Sequence, residues 1–170
     1  MKYTLKDISE FISDGTHSSP IRTEIGIPVL SAQNINHGAI SIQTNRYTSI
    51  EEYEKFINRL CIKKGDILLT IVGSIGRSAV VNELPPAVFQ RSVAVIRPKK
   101  DIAHSSFINH IFGSKYFQSE LKRNSNQSSQ AGVYLGRLGK IKINLPPLDE
   151  QRRIAKILER ANKNISLANL

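Results

Sequence analysis

Few residues in this chain are arranged for bond-making chemistry. The four histidines, His17, His37, His104 and His110, lack the close helical spacing of a zinc-binding pair, and His104 and His110, six apart, point in different directions on a helix. Cys61 is the only cysteine, which excludes an internal disulfide and a cysteine-built zinc site. Gly73-Ser74-Ile75-Gly76 is not a dinucleotide fingerprint, and no glycine-rich loop ends in Gly-Lys-Ser/Thr. Asn144-Leu145-Pro146-Pro147 departs from the Asn-Pro-Pro-aromatic motif of amino-methyltransferases by an inserted leucine and a missing aromatic ring. Asp101, Glu120 and Lys122 could be assembled into a nuclease site only on paper, and clustered acids for magnesium are too few. No catalytic residue, metal or cofactor is expected.

What the sequence offers instead is charge. The net charge is +10, and it is uneven: −1 over residues 1–60, +9 over 61–143 and +2 over 144–170. An excess so concentrated points to a polyanion, of which nucleic acid is the commonest. Lys63, Lys64, Arg123, Arg137, Lys140 and Lys142 are the candidates for neutralising phosphates. Thr16, His17, Gln33, Asn34, Arg77, Gln90 and Arg91 are candidates for reading base edges, along with the polar run Asn126, Gln127, Ser128, Ser129 and Gln130. Each has a plainer role open to it: a solvated lysine, a turn hydroxyl bonded to its own backbone, a structural arginine at the tight turn 73–77.

These residues must be carried by short elements. Thr4-Leu5-Lys6-Asp7 predicts a capped helix through Ile8, Phe11 and Ile12, and Asp14 to Pro20 a polar loop. Short strands are expected near Ile27–Leu30 and Ala39–Ile42, followed by a helix capped at Ser49 that carries Tyr53, Phe56, Ile57 and Leu60. Ile67 to Val72 reads as a strand buried on both faces, with Ser78–Val81 returning beside it. Val88–Arg91 and Ser92–Ile96 are expected to pair with each other. Ser105 or Ser106 would cap a helix reaching Leu121 and interrupted near Gly113, and Ile141–Leu145 would be the last strand. The sum is α+β: one domain over residues 1–146 with a mixed, partly antiparallel sheet and flanking helices.

Pro146 and Pro147 end that body, since neither carries an N–H and Pro147 drives Pro146 out of the α region. Asp149 then caps or opens a helix over 147–170, a spacer or coiled-coil rod. Ile154, Leu158, Ala161 and Ile165 recur at spacings of four, three and four, a seam for docking along another helix. No signal-peptide pattern or membrane-length apolar run is present, so a cytoplasmic setting is expected.

Four blocks in order resemble one family: Asp14-Gly15-Thr16-His17; Pro28 to Ile35 (PVLSAQNI); Gly65 to Arg77 (GDILLTIVGSIGR); and Leu145 to Gln151 (LPPLDEQ). Together they look like the target-recognition domain of a type I restriction-modification specificity (S) subunit, over almost the whole chain. The resemblance implies a fold like the small DNA-binding domain of adenine methyltransferases. It implies no catalytic activity, sequence-specific binding of double-stranded DNA, and a spacer helix that docks methyltransferase (M) subunits and, through them, the restriction (R) subunit. Full S subunits carry two such domains. This chain would then be a fragment, or a half-subunit restored as a homodimer through the helix that reads a bipartite target with equal halves. The alternative function is a non-catalytic scaffold whose basic domain binds an acidic protein; an autonomous nuclease or methyltransferase is the third.

Overall fold

The structure is a computed structural model that describes residues 1–36, 38–126 and 131–168, with side chains of the last helix described as far as 162. In chain order the elements are β1 (Lys2–Thr4), β2 (Ser9–Asp14), β3 (Arg22–Thr23), β4 (Ile27–Leu30), β5 (Ile35–Asn36), β6 (Ala39–Ile40), β7 (Tyr47–Thr48) and α1 (Ile50–Arg59). They continue with β8 (Ile67–Thr70), β9 (Ser78–Val80), β10 (Val88–Phe89), β11 (Val93–Pro98), α2 (Ser105–Phe112), α3 (Lys115–Asn124), α4 (Leu135–Leu138), β12 (Lys142–Asn144) and α5 (Leu148–Ala168). The expected α+β class holds.

The main sheet, β2-β11-β8-β9, is antiparallel throughout. Its inner strands are apolar on both faces because each face has its own core. Ile67, Leu69, Ala94 and Ile96 join Phe107, Phe112 and Phe117 of α2 and α3 on one side. Leu68, Val93 and Val95 join Val29, Phe56 and Phe89 on the other. The period-2 alternation of a strand thus distributes one continuous apolar run between two cores. A second sheet, β10-β4-β7-β3, supplies the parallel pairing, between β10 and β4.

Three local expectations are corrected. Thr4 and Asp7 do exchange capping bonds, Asp7 Oδ2 accepting from Thr4 N at 2.8 Å and Thr4 Oγ1 from Asp7 N at 3.2 Å. The turn closes after Ile8, however, where the buried Ser9 hydroxyl bonds Leu5 O, and the chain becomes β2 because Phe11 and Ile12 serve opposite cores. Val88–Phe89 pairs with Val29–Leu30 and not with Val93–Ile96, which lies between β2 and β8. The span 105–121 is interrupted at Gly113 as expected, but Ser105 does not cap: its Oγ donates to Gly65 O, and the capping serine is Ser114, whose Oγ accepts from Phe117 N to open α3.

The helix after the double proline is hydrogen-bonded to the body through one buried side chain. Gln151 is 0% exposed. Its Oε1 accepts from His104 N at 3.0 Å, and its Nε2 donates to Ile102 O and Pro146 O, both at 2.9 Å. Ala155, one turn on, is buried in the α2–α3 core. From Lys156 to Asn162 every residue is exposed, while Leu158, Glu159 and Asn162 border a groove against α2.

Candidate nucleic-acid interface

The chain leaves β2, β4, β8 and β10 at the same end of the molecule. Gly15 N donates to Val93 O, Thr16 N to Phe89 O, Arg91 N to Thr16 O and Gln90 N to Leu30 O. Ser92 joins two more segments, accepting from Ala32 N at its hydroxyl and from Ile71 N at its carbonyl. Val133 N bonds Ile71 O, which brings the base of the 125–133 loop to the same edge. Gly15 is obligatory here: a Cβ would lie 2.2 Å from Phe89 O. Segments separated by most of the sequence thus become one loop-bearing end, the arrangement by which a rigid sheet presents recognition residues.

Four of the sequence candidates meet there. Thr16, His17, Gln90 and Arg91 line a cleft of about 330 Å³ together with Ser18, Ser19, Val72 and Ser92. His17 Nε2 lies 3.0 Å from Asp14 Oδ2. Thr16 Oγ1 donates to Ser18 O at 2.9 Å. Gln90 Oε1 accepts from Arg46 Nη1 at 3.4 Å, and its Nε2 has no hydrogen bond among the described residues. The exposed Arg91 guanidinium has no hydrogen bond or ion pair among the described residues. Arg46 escaped the sequence reading, because a cation in a polar loop gives no hint that β4 and β10 will bring Gln90 to it.

Three other candidates hold the loops in place. Asn34, buried, accepts from Ser31 N and donates to Ser41 O and Gln43 O, which uses its carbonyl and both amide hydrogens within the fold. Arg77 donates to Ala32 O at 3.0 Å and to Asn36 Oδ1 at 3.3 Å, and so clamps the 32–36 segment to the turn after β8. Asn126 Oδ1 accepts from Gly132 N at 2.7 Å and closes the neck of its loop. These bonds engage the Asn34 amide, Arg77 Nη1 and Nη2, and Asn126 Oδ1 within the protein, where they position the loops. Gln33 is exposed on a 3-10 turn at the same end. Gln127, Ser128, Ser129 and Gln130 lie outside the described residues.

The cations divide between places. Arg123, paired with Glu120 at 2.6 Å, ends α3 beside the loop neck. Lys63 and Lys64 precede Ile67 and therefore sit at the far end of β8 from the cleft. Arg137 is exposed on α4, Lys140 borders a groove with Lys6, and Lys142 sits on β12 opposite Thr4. Of the helical seam, Ile154 packs partly against the body, Leu158 is 38% exposed, Ala161 is exposed, and the side chain of Ile165 lies outside the described residues. Among the described residues no group of three or more His, Cys, Asp or Glu is placed to hold a metal ion, and no helix is long and apolar enough to cross a membrane.

The family model described as "Type I restriction modification DNA specificity domain" matches residues 1–169. The putative type I restriction enzyme MjaX specificity subunit of Methanocaldococcus jannaschii is 31% identical over 174 residues, covering 97% of this chain and 40% of the relative. The type I restriction enzyme EcoBI specificity subunit of Escherichia coli is 31% identical over 134 residues, covering 79% of this chain and 28% of the relative. The crystal structure of the HsdS subunit from Thermoanaerobacter tengcongensis superposes with a TM-score of 0.66 at 19% identity, over 98% of this chain and 38% of that one. The chain thus spans well under half the length of these relatives.

Proposed function

Because the chain belongs to the type I restriction modification DNA specificity domain family, we propose that its loop-bearing end reads one half of a bipartite sequence in double-stranded DNA. In this reading the chain supplies specificity and no catalysis. Its α5 rod meets methyltransferase subunits, which bring the restriction subunit, and a second copy of α5 in a homodimer is the other docking partner. The target adenine is unstacked and modified by the methyltransferase, a step for which this chain holds no chemistry.

The observation that carries the proposal is Arg91: an exposed guanidinium with no partner among the described residues, set in a cleft beside the Gln90 amide, hydroxyls and an imidazole. A guanidinium so placed fits the bidentate contact to guanine O6 and N7, and the Gln90 amide suits adenine or a water-bridged base edge. Thr16, His17 and Gln33 are further base-side contacts. Arg123, with Arg46 added, provides phosphate contacts at the same end, while Lys63, Lys64, Arg137, Lys140 and Lys142 contribute at most to the outer field that steers DNA.

Selection of duplexes from a randomised pool tests this. The wild-type chain should enrich a sequence containing an invariant G·C pair that Arg91→Ala no longer enriches, with a loss of discrimination of about 1–3 kcal/mol at that position. Identical enrichment by both proteins would reject Arg91 as a reader.

A further inference from the structure

β2 is an outer strand of the main sheet, and its free edge opens into a groove. Gly15 N bonds Val93 O, and in antiparallel register this turns the backbone groups of Ser13 and Phe11 toward β11 and those of Asp14 and Ile12 away from it. The outward carbonyl of Asp14 is taken by the Arg59 guanidinium at 3.0 Å. Among the described residues no loop backbone or side chain bonds the N–H or C=O of Ile12. Beside it, between β2 and α4, lies a cleft of about 690 Å³ with Phe11, Ile12 and Leu135 along its floor. Lys6, Lys99 and Lys140 stand at its rim beside Glu10; Lys99 Nζ donates to Asp7 O at 2.9 Å, and the Asp7 carboxylate lies near Lys6 and Lys99, so the rim keeps a net positive charge.

We infer that this groove takes an extended acidic segment of a partner protein as an added strand on β2. An unpaired strand edge demands a donor and an acceptor in alternation, which a peptide supplies and a phosphate backbone, rich only in acceptors, does not. The apolar floor suits the inward side chains of such a strand, and the lysine rim selects acidic residues over basic ones on its other positions. The location agrees: Lys6 and Lys99 lie where Ser9 pairs with Pro98, at the opposite end of β2 from the Arg91 cleft, so DNA held there leaves the groove open.

The test uses the intact chain and two fluorescent peptides of about ten residues, one alternating valine with glutamate and one alternating valine with lysine, beside a mixed-sequence duplex. The acidic peptide should bind about tenfold or more tighter than the basic one. The double variant Lys6→Glu/Lys99→Glu should lose about tenfold for the acidic peptide and leave duplex affinity within about twofold. Ile12→Pro removes an outward N–H from an edge strand and should abolish peptide binding, with a lower melting temperature from the lost Ile12 packing. If that variant does not fold, slowed amide exchange at Ile12 in the wild-type complex reads the same bond. Failure of the acidic peptide to bind, equal affinity for the two peptides, or a fall in duplex affinity on charge reversal would overturn the inference.

Discussion

Gln151 is the residue on which the attachment of α5 depends, and its replacement has a calculable cost. In Gln151→Ala, three backbone groups (His104 N–H, Ile102 C=O and Pro146 C=O) lose their partner together. A fully buried unpaired group costs about 1–3 kcal/mol; these three belong to half-buried residues, so the lower end applies and the sum is about 3 kcal/mol. In a domain of this length that corresponds to a melting temperature lower by roughly 6–12 °C. Gln151→Glu sharpens the test. Its charged carboxylate could still accept from His104 N but would face two carbonyl oxygens in a buried site. Both burial and those dipoles raise its folded pKa above the ordinary value of about 4.3. The folded state then holds a proton that the unfolded state has released, so the rescued stability is full below the unfolded value of about 4.3 and is lost as pH rises through the raised folded value. Urea unfolding of both variants, at pH 8 and pH 5, measures this directly, and trypsin cleavage at Arg152 and Arg153 reports release of the helix. A cost below about 0.5 kcal/mol for Gln151→Ala, with no acid rescue of Gln151→Glu, would refute the assignment.

Other perturbations follow from the same geometry. Gly15→Ala places a methyl group against the Phe89 carbonyl and should push the 14–19 loop off β10, lowering stability by about 2 kcal/mol or more and exposing the loop to proteolysis; an unchanged urea midpoint would contradict that packing. His110 on α2 faces the groove under α5, and burial pulls its pKa below the ordinary 6.5, an effect partly offset by the nearby Glu159. The unfolded chain therefore takes up this proton first. Stability attributable to His110 is full above about pH 7.5, declines as pH drops through 6.5, and levels off below the lowered folded value. Comparing wild type with His110→Gln at pH 8 and pH 5.5 should show the smaller acid loss in the variant; equal losses would reject the shift.

Much of the fold was legible because burial periodicity speaks directly in sequence. The apolar run 67–72 announced a two-faced strand, and β8 divides its side chains between two cores. The Gly-Asp block at its start also proved structural: Asp66, 1% exposed, takes Arg97 through both carboxylate oxygens at 2.7 Å and accepts from Lys63 N, and this pairing raises the Arg97 pKa. What misled was local spacing without its tertiary context. Ile8, Phe11 and Ile12 fit a helix face, yet in the fold Phe11 and Ile12 point to opposite sides of a sheet. Arg77 and Arg91 looked alike as basic residues in turns. Only the parallel pairing of β10 with β4 and the placement of the 32–36 segment decide that one is committed to the protein and the other has no partner among the described residues. Gln151 was readable as part of a motif, while its partners, 47 and 49 residues away, were not.

The claim beneath all of this is that DNA meets the molecule at the loop-bearing end of the sheets. A photo-crosslinking side chain placed at Ser18, in the Arg91 cleft, and another at Lys64, at the far end of β8, measure it against duplexes enriched by the wild-type chain. The account predicts efficient labelling of DNA from position 18 and background labelling from position 64. Strong labelling from position 64 with none from position 18 would contradict it.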